Sequence, residues 1–140
     1  MNQLFYGDNL NILRNHVATE SVDLCYIDPP FYSKRNYHRV DNNIEANDAE
    51  RTLAFTDTWT WNDCASAGLE EIVGNSENRF HPQTIELIKG LQAFLGRSSL
   101  LAYLVSITLR INEIQRVLTP QGSFYLHCDP TASHYLKLLL

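Results

Sequence analysis

The chain is poor in the residues that build several common kinds of site. Its three cysteines, Cys25, Cys64 and Cys128, are odd in number and far apart. They have no metal-ligand spacing and suggest no disulfide framework, so neither is expected. The six glycines are Gly7, Gly68, Gly74, Gly90, Gly96 and Gly122. No two are close enough to make a glycine-rich loop of the kind that cradles a cofactor. Cations are the minority: 11 Lys and Arg against 16 Asp and Glu give a net charge of -5. A protein that coats nucleic acid non-specifically is usually basic, so that class is set aside, whereas an enzyme with a local basic patch is not. The longest apolar run is too short and too interrupted to span a membrane. Met1-Asn2-Gln3-Leu4 has no basic start and no long apolar run behind it, so no signal peptide is expected and the cytoplasm is the expected location.

What is present suffices for one compact domain of 140 residues with 44% hydrophobic content. Leu4-Phe5-Tyr6 reads as a short strand ended by Gly7-Asp8. Asn9 to Asn15 reads as a short helix with Asp8 as its N-cap. Val22-Asp23-Leu24-Cys25-Tyr26-Ile27 is an apolar run that reads as a buried strand. Strand, helix and strand in under thirty residues is the rhythm of a parallel sheet, and the expected class is α/β.

Asp28-Pro29-Pro30-Phe31 follows that strand directly. In open α/β sheets, ligands collect outside the carboxyl ends of the strands. Pro29 holds Asp28 in an extended conformation. The two prolines remove two backbone donors. What remains is acceptors, namely the Asp28 carboxylate and the carbonyls of Asp28 and Pro29, with a flat ring at Phe31. Acceptors suit an exocyclic amino group, and an aromatic face suits a stacked base. The alternative is a plain loop in which the prolines end the strand and Asp28 caps a helix.

Lys34, Arg35, His38 and Arg39 form a basic cluster just beyond, read either as the local basic patch of an enzyme or as a solvated loop. Residues from about 33 to 80 read as a long, weakly periodic loop. Such loops are usually functional or disordered. Phe55, Trp59 and Trp61 interrupt it, and the favoured reading is a loop anchored to the core by aromatics over one that faces DNA as a lid. His81-Pro82 opens a helix to about Phe94. Leu100, Leu104, Ile107, Ile111, Ile114 and Leu118 then mark one apolar stripe of a longer helix. Arg110, Glu113 and Arg116 fall off the stripe and can pair at i, i+3. Pro120-Gln121-Gly122 is expected to end that helix and turn the chain into a strand at Ser123-Phe124-Tyr125-Leu126-His127. His127 reads as a strand residue satisfied by the backbone, with contact to a substrate as the alternative. Asp129-Pro130 restarts a helix, with Asp129 read as its N-cap. Leucine fills four of the last five positions, which calls for a partner surface, or for more chain than is given.

Four stretches carry a resemblance. They are Phe5-Tyr6-Gly7-Asp8-Asn9-Leu10, the strand with Asp28-Pro29-Pro30-Phe31, the helix end Arg116-Val117-Leu118-Thr119-Pro120-Gln121-Gly122, and Ser123-Phe124-Tyr125-Leu126-His127-Cys128-Asp129-Pro130. Their types and order resemble the amino-methylating DNA methyltransferases that use S-adenosylmethionine. The likeness is to the circularly permuted group, to which many modification subunits of restriction systems belong. The resemblance implies a Rossmann-like fold, here partial, with residues 1–140 as the amino-terminal catalytic part. It implies that Asp28 and the carbonyl of Pro29 accept hydrogen bonds from the target amino group. Pro30 would keep the loop rigid, and Phe31 would stack on the flipped base. An aspartate in the first position is commoner in adenine-N6 members, so adenine is favoured over cytosine-N4. Asp8 would match the acidic position near the cofactor's adenine, beside its reading as a cap. Lys34, Arg35 and Arg39 would meet DNA, and no metal is implied.

The chain departs from the family in lacking the Phe-x-Gly-x-Gly loop, the target-recognition region and several strands. It is therefore expected neither to bind S-adenosylmethionine tightly nor to methylate DNA alone. The missing part would lie in a carboxyl-terminal half or a restriction-modification partner subunit. A non-catalytic accessory module and an RNA or protein amino methyltransferase stand as the other readings.

Overall fold

The computed structural model describes residues 2–32, 36–38, 53–56 and 58–140, the two short middle stretches by their backbone alone. The elements run α1 (Asn9–His16), β1 (Val22–Ile27), β2 (Asn36–His38), β3 (Leu53–Thr56), α2 (Asp63–Gly74), α3 (Pro82–Leu95), α4 (Ser99–Val117), β4 (Leu118–Leu126) and α5 (Pro130–Leu139). The chain is mixed α/β. β1 and β4 form a small parallel sheet, and β2 and β3 form a separate antiparallel pair.

The core is built around α4. Its apolar stripe predicts one buried face, but Leu101, Ala102, Tyr103, Leu104 and Val105 are buried in succession, while Leu100 is only half-buried. The reason is that α1, α2, α3 and α5 all pack on α4. A helix with neighbours on several sides is apolar nearly all round. Each large aliphatic side chain buried there contributes about 1.5–3 kcal/mol. Polar caps set the helix starts: Asp8 for α1, Asn62 for α2, Ser98 for α4 and Asp129 for α5 each accept from a backbone N–H of the first turn. His81 and Pro82 open α3.

Two sequence expectations fail here for identifiable reasons. Leu4, Phe5 and Tyr6 are exposed and form no strand. A strand needs a neighbour's backbone, and no described segment lies beside them as one. The long loop expected over residues 33–80 contains the β2–β3 pair and a twelve-residue helix, α2. Ala65, Gly68, Leu69 and Ile72 of α2 are buried at helical spacing. Asn75, in the left-handed region at φ 42°, closes it. Trp59 and Trp61 do anchor the preceding segment on the core. The Trp59 ring meets Tyr103 edge-on, with centroids 5.1 Å apart.

β4 also begins earlier than expected, at Leu118. Val22 lies opposite Leu118 and Leu24 opposite Ser123, so two steps along β1 match five along β4. Pro120-Gln121-Gly122 thus form a bulge inside the strand rather than a turn ahead of it. A Cβ at position 122 would lie 3.0 Å from the Thr119 carbonyl oxygen and 3.1 Å from that of Val22, which accounts for glycine there. Beyond the bulge the register is regular to Ile27 opposite Leu126. Phe124 and Leu126 pack toward the core. Leu24, Tyr26 and Tyr125 stand exposed on the other face, with the two tyrosine rings stacked 6.5 Å apart. Among the described residues, no helix is long and apolar enough to cross a membrane.

Candidate functional site at the carboxyl ends of the strands

Because β1 and β4 run parallel and end together, Asp28 and His127 leave the sheet side by side. The His127 backbone N–H donates to the Ile27 carbonyl at 3.0 Å, which fixes that alignment. The imidazole Nδ1 then lies 3.3 Å from Asp28 Oδ1, with the two side chains 57% and 59% exposed. The Phe31 ring meets the same imidazole edge-on, at 5.1 Å and 69°. Pro29 and Pro30 are half-buried between them in sequence. Tyr32 moors the end of this loop: its hydroxyl is 2.5 Å from that of Ser99 at the start of α4, and its ring lies 6.0 Å from Tyr103.

This arrangement separates the two readings of Asp28. Among the described residues its carboxylate caps no helix; its neighbour is His127. For Asp129 the cap reading holds, with Oδ1 accepting from Ala132 N at 3.0 Å. Asp8 is engaged on both oxygens. Oδ1 accepts from Leu10 N at 2.8 Å as the N-cap of α1, and Oδ2 pairs with Arg110 at 2.7 Å. Arg110 therefore serves α1 and does not form the expected i, i+3 pair, whereas Arg116 and Glu113 do so at 2.7 Å. Asp8 also borders a cavity of about 430 Å³ between α1, α2, α4 and the Trp59 segment, whose lining includes none of Asp28, Pro29, Pro30 and Phe31. Lys34, Arg35 and Arg39 lie outside the described residues.

The site is an open shelf that offers a carboxylate, the carbonyls of a proline-rigid loop and one aromatic face. Such a surface can hold a planar ring through an amino substituent. Among the described residues, no cluster of His, Cys, Asp or Glu could hold a metal ion. Two thiols flank the shelf in sequence. Burial pushes the Cys25 thiol up, and burial together with the Asp129 carboxylate pushes Cys128 up. Both thiols therefore stay protonated at neutral pH.

His127 is the member of this group that sequence reasoning undervalued. The signal was available: two apolar strands separated by a helix pair in parallel, which sets the residue after one strand beside the residue after the other. No protein family, curated protein or solved structure matches the chain.

Proposed function

We propose that the chain is the base-binding part of a Rossmann-like, S-adenosylmethionine-dependent DNA methyltransferase, with the N6 amino group of a flipped adenine as the favoured target. The observation that carries this reading is the Asp28 carboxylate standing beside the Phe31 loop at the carboxyl edge of a parallel strand pair. That edge is where ligands gather in doubly wound sheets. An amino nitrogen inside a duplex is out of reach, so the base must be extruded to meet it. Asp28 and the Pro29 carbonyl would accept from the amino group and orient its nitrogen, and positioning of this kind supplies much of the catalysis in a direct displacement. Phe31 would stack on the ring, worth about 1–3 kcal/mol. Lys34, Arg35 and Arg39 would meet phosphates, which fix register without reading sequence.

S-adenosylmethionine would supply the methyl group, and the remainder of its site would come from a carboxyl-terminal half or a partner subunit. The bare outer face of the β1–β4 sheet supports a completing structure, because parallel sheets are ordinarily covered on both faces. The test is transfer of a tritiated methyl group by the complete gene product onto DNA, RNA and protein. Label on adenine in DNA, lost with Asp28→Ala, is expected. Label on RNA or protein alone would replace the substrate, and no label on any would end the enzymatic reading.

A further inference from the structure

We infer that His127 is the positioning residue for Asp28, and that it makes the shelf selective for rings bearing an amino group. The inference rests on the base-binding reading above. A carboxylate at the end of a short side chain rotates in a broad well about χ2. A ring's amino group must be met near the ring plane, so the orientation of the acceptor decides whether the contact forms. His127 supplies that orientation. Its backbone is pinned to Ile27 at 3.0 Å, and its Nδ1 faces Asp28 Oδ1 at 3.3 Å. At that distance a hydrogen carried on Nδ1 can be offered to Oδ1. Donation there would engage one oxygen of Asp28 and leave the other for a ligand. The same imidazole abuts Phe31 edge-on, so the acceptor and the stacking face are referred to one residue on the neighbouring strand. The nearby Asp129 carboxylate is directed to the first turn of α5 and does not compete for the imidazole.

The test uses the isotopically labelled chain and two nucleosides, deoxyadenosine and purine deoxyriboside, which has the same ring without the amino group. Affinities are read from chemical-shift titrations of the wild type, His127→Leu and His127→Asn, whose amide nitrogen replaces Nδ1. His127→Leu is expected to weaken deoxyadenosine about three- to ten-fold, the scale of one modest hydrogen bond, with purine deoxyriboside unchanged to within about two-fold. His127→Asn is expected to restore most of the loss. The ring-nitrogen chemical shifts of His127 are expected to report hydrogen on Nδ1 in the wild type and to move toward the Nε2–H form with Asp28→Ala. Equal weakening of both nucleosides would show that His127 acts by packing and would overturn the inference, as would no weakening of either. Ring-nitrogen shifts indifferent to Asp28→Ala would overturn it as well. If the wild type binds neither nucleoside, the base-binding reading itself fails, and the inference falls with it.

Discussion

Replacing Arg116 by methionine removes the main polar tie between α1 and α4. Arg116 Nε donates to Glu113 Oε2 at 2.7 Å, Nη1 to Thr19 Oγ1 at 3.0 Å, and Nη2 to the Leu13 and Val17 carbonyls at 2.7 and 3.1 Å. It thus closes the carboxyl end of α1, where a positive charge also suits the helix dipole. Glu113 is only 2% exposed, so losing its partner strands a buried carboxylate. Breaking a fully buried pair costs about 3–5 kcal/mol. Two features reduce that figure here. The Arg116 side chain is 31% exposed, and Arg14 Nε remains 3.7 Å from Glu113. Methionine keeps the apolar stem. The expected loss is about 2–3 kcal/mol.

With a urea dependence of about 2 kcal/mol per molar, this loss lowers the midpoint by roughly 1–1.5 M, measured by circular dichroism. Adding Glu113→Met removes the stranded charge, while Arg14 keeps its bond to Glu71 at 2.5 Å. The double variant should therefore recover about 1–2 kcal/mol relative to Arg116→Met alone. A single variant within about 0.5 kcal/mol of wild type, or a double variant less stable than the single, would refute the claim that Glu113 is a buried charge held by Arg116.

Two glycine substitutions should act with opposite sign in the same denaturation assay. A Cβ at Gly68 would meet Val105 Cγ1 at 2.9 Å and Leu109 Cδ1 at 3.1 Å, so Gly68→Ala should lose about 1 kcal/mol net, the overpacking outweighing the gain in helix propensity. Gly90 is exposed within α3 with open space around it, and Gly90→Ala should gain about 0.5–1 kcal/mol. Cys64 is exposed and the other thiols are half-buried, so iodoacetamide at pH 8 should label Cys64 first by mass spectrometry; uniform labelling would contradict the burial of Cys25. Because Cys25 and Cys128 are raised in the folded chain, the unfolded chain loses their protons first, and stability should fall as pH rises past about 8.5; a flat profile from pH 7 to 10 would contradict this. Calorimetric titration of the chain with S-adenosylmethionine should show no micromolar binding, and binding at that level would mean that a cofactor cradle exists within these 140 residues.

Features marked by one strongly biased residue were legible before the structure. Asp8, Asp129-Pro130 and His81-Pro82 mark helix starts because capping chemistry is local and few side chains perform it. β1 was legible as a strand because a short apolar run before Asp28-Pro29 has little else to be, but its expected burial is not met: none of its residues is buried, and Leu24 and Tyr26 are exposed. Helix α2 was hidden because its inner face uses Ala65 and Gly68, small residues that let it approach α4 closely and carry little hydrophobic signal. The all-round burial of α4 was hidden because periodicity reports one face, whereas the number of neighbouring helices is a tertiary property. Leu4-Phe5-Tyr6 has strand composition, but composition cannot supply a partner. The Asp28–His127 pairing lay between these cases, since each residue was visible alone and their adjacency followed only from the register of two strands.

The fold and the candidate site draw on different parts of the chain. Four helices pack on α4, whose Tyr103, Leu104 and Ile107 side chains are almost completely buried, so the helical layer has its own hydrophobic support. The site instead hangs on two strands with an uncovered face. An imidazole and a carboxylate 3.3 Å apart, each more than half exposed, interact through a largely aqueous medium and contribute at most about 1 kcal/mol. Covering Leu24, Tyr26 and Tyr125 would add apolar burial to the sheet. If the cover also reached the shelf, water would be displaced there and the Asp28–His127 contact would change with it, attraction rising at lower dielectric against the cost of desolvating the two groups. A folded helical core and the proposed amino-selective shelf are therefore compatible in one chain, and a structure covering the sheet would act on the site as well as on stability.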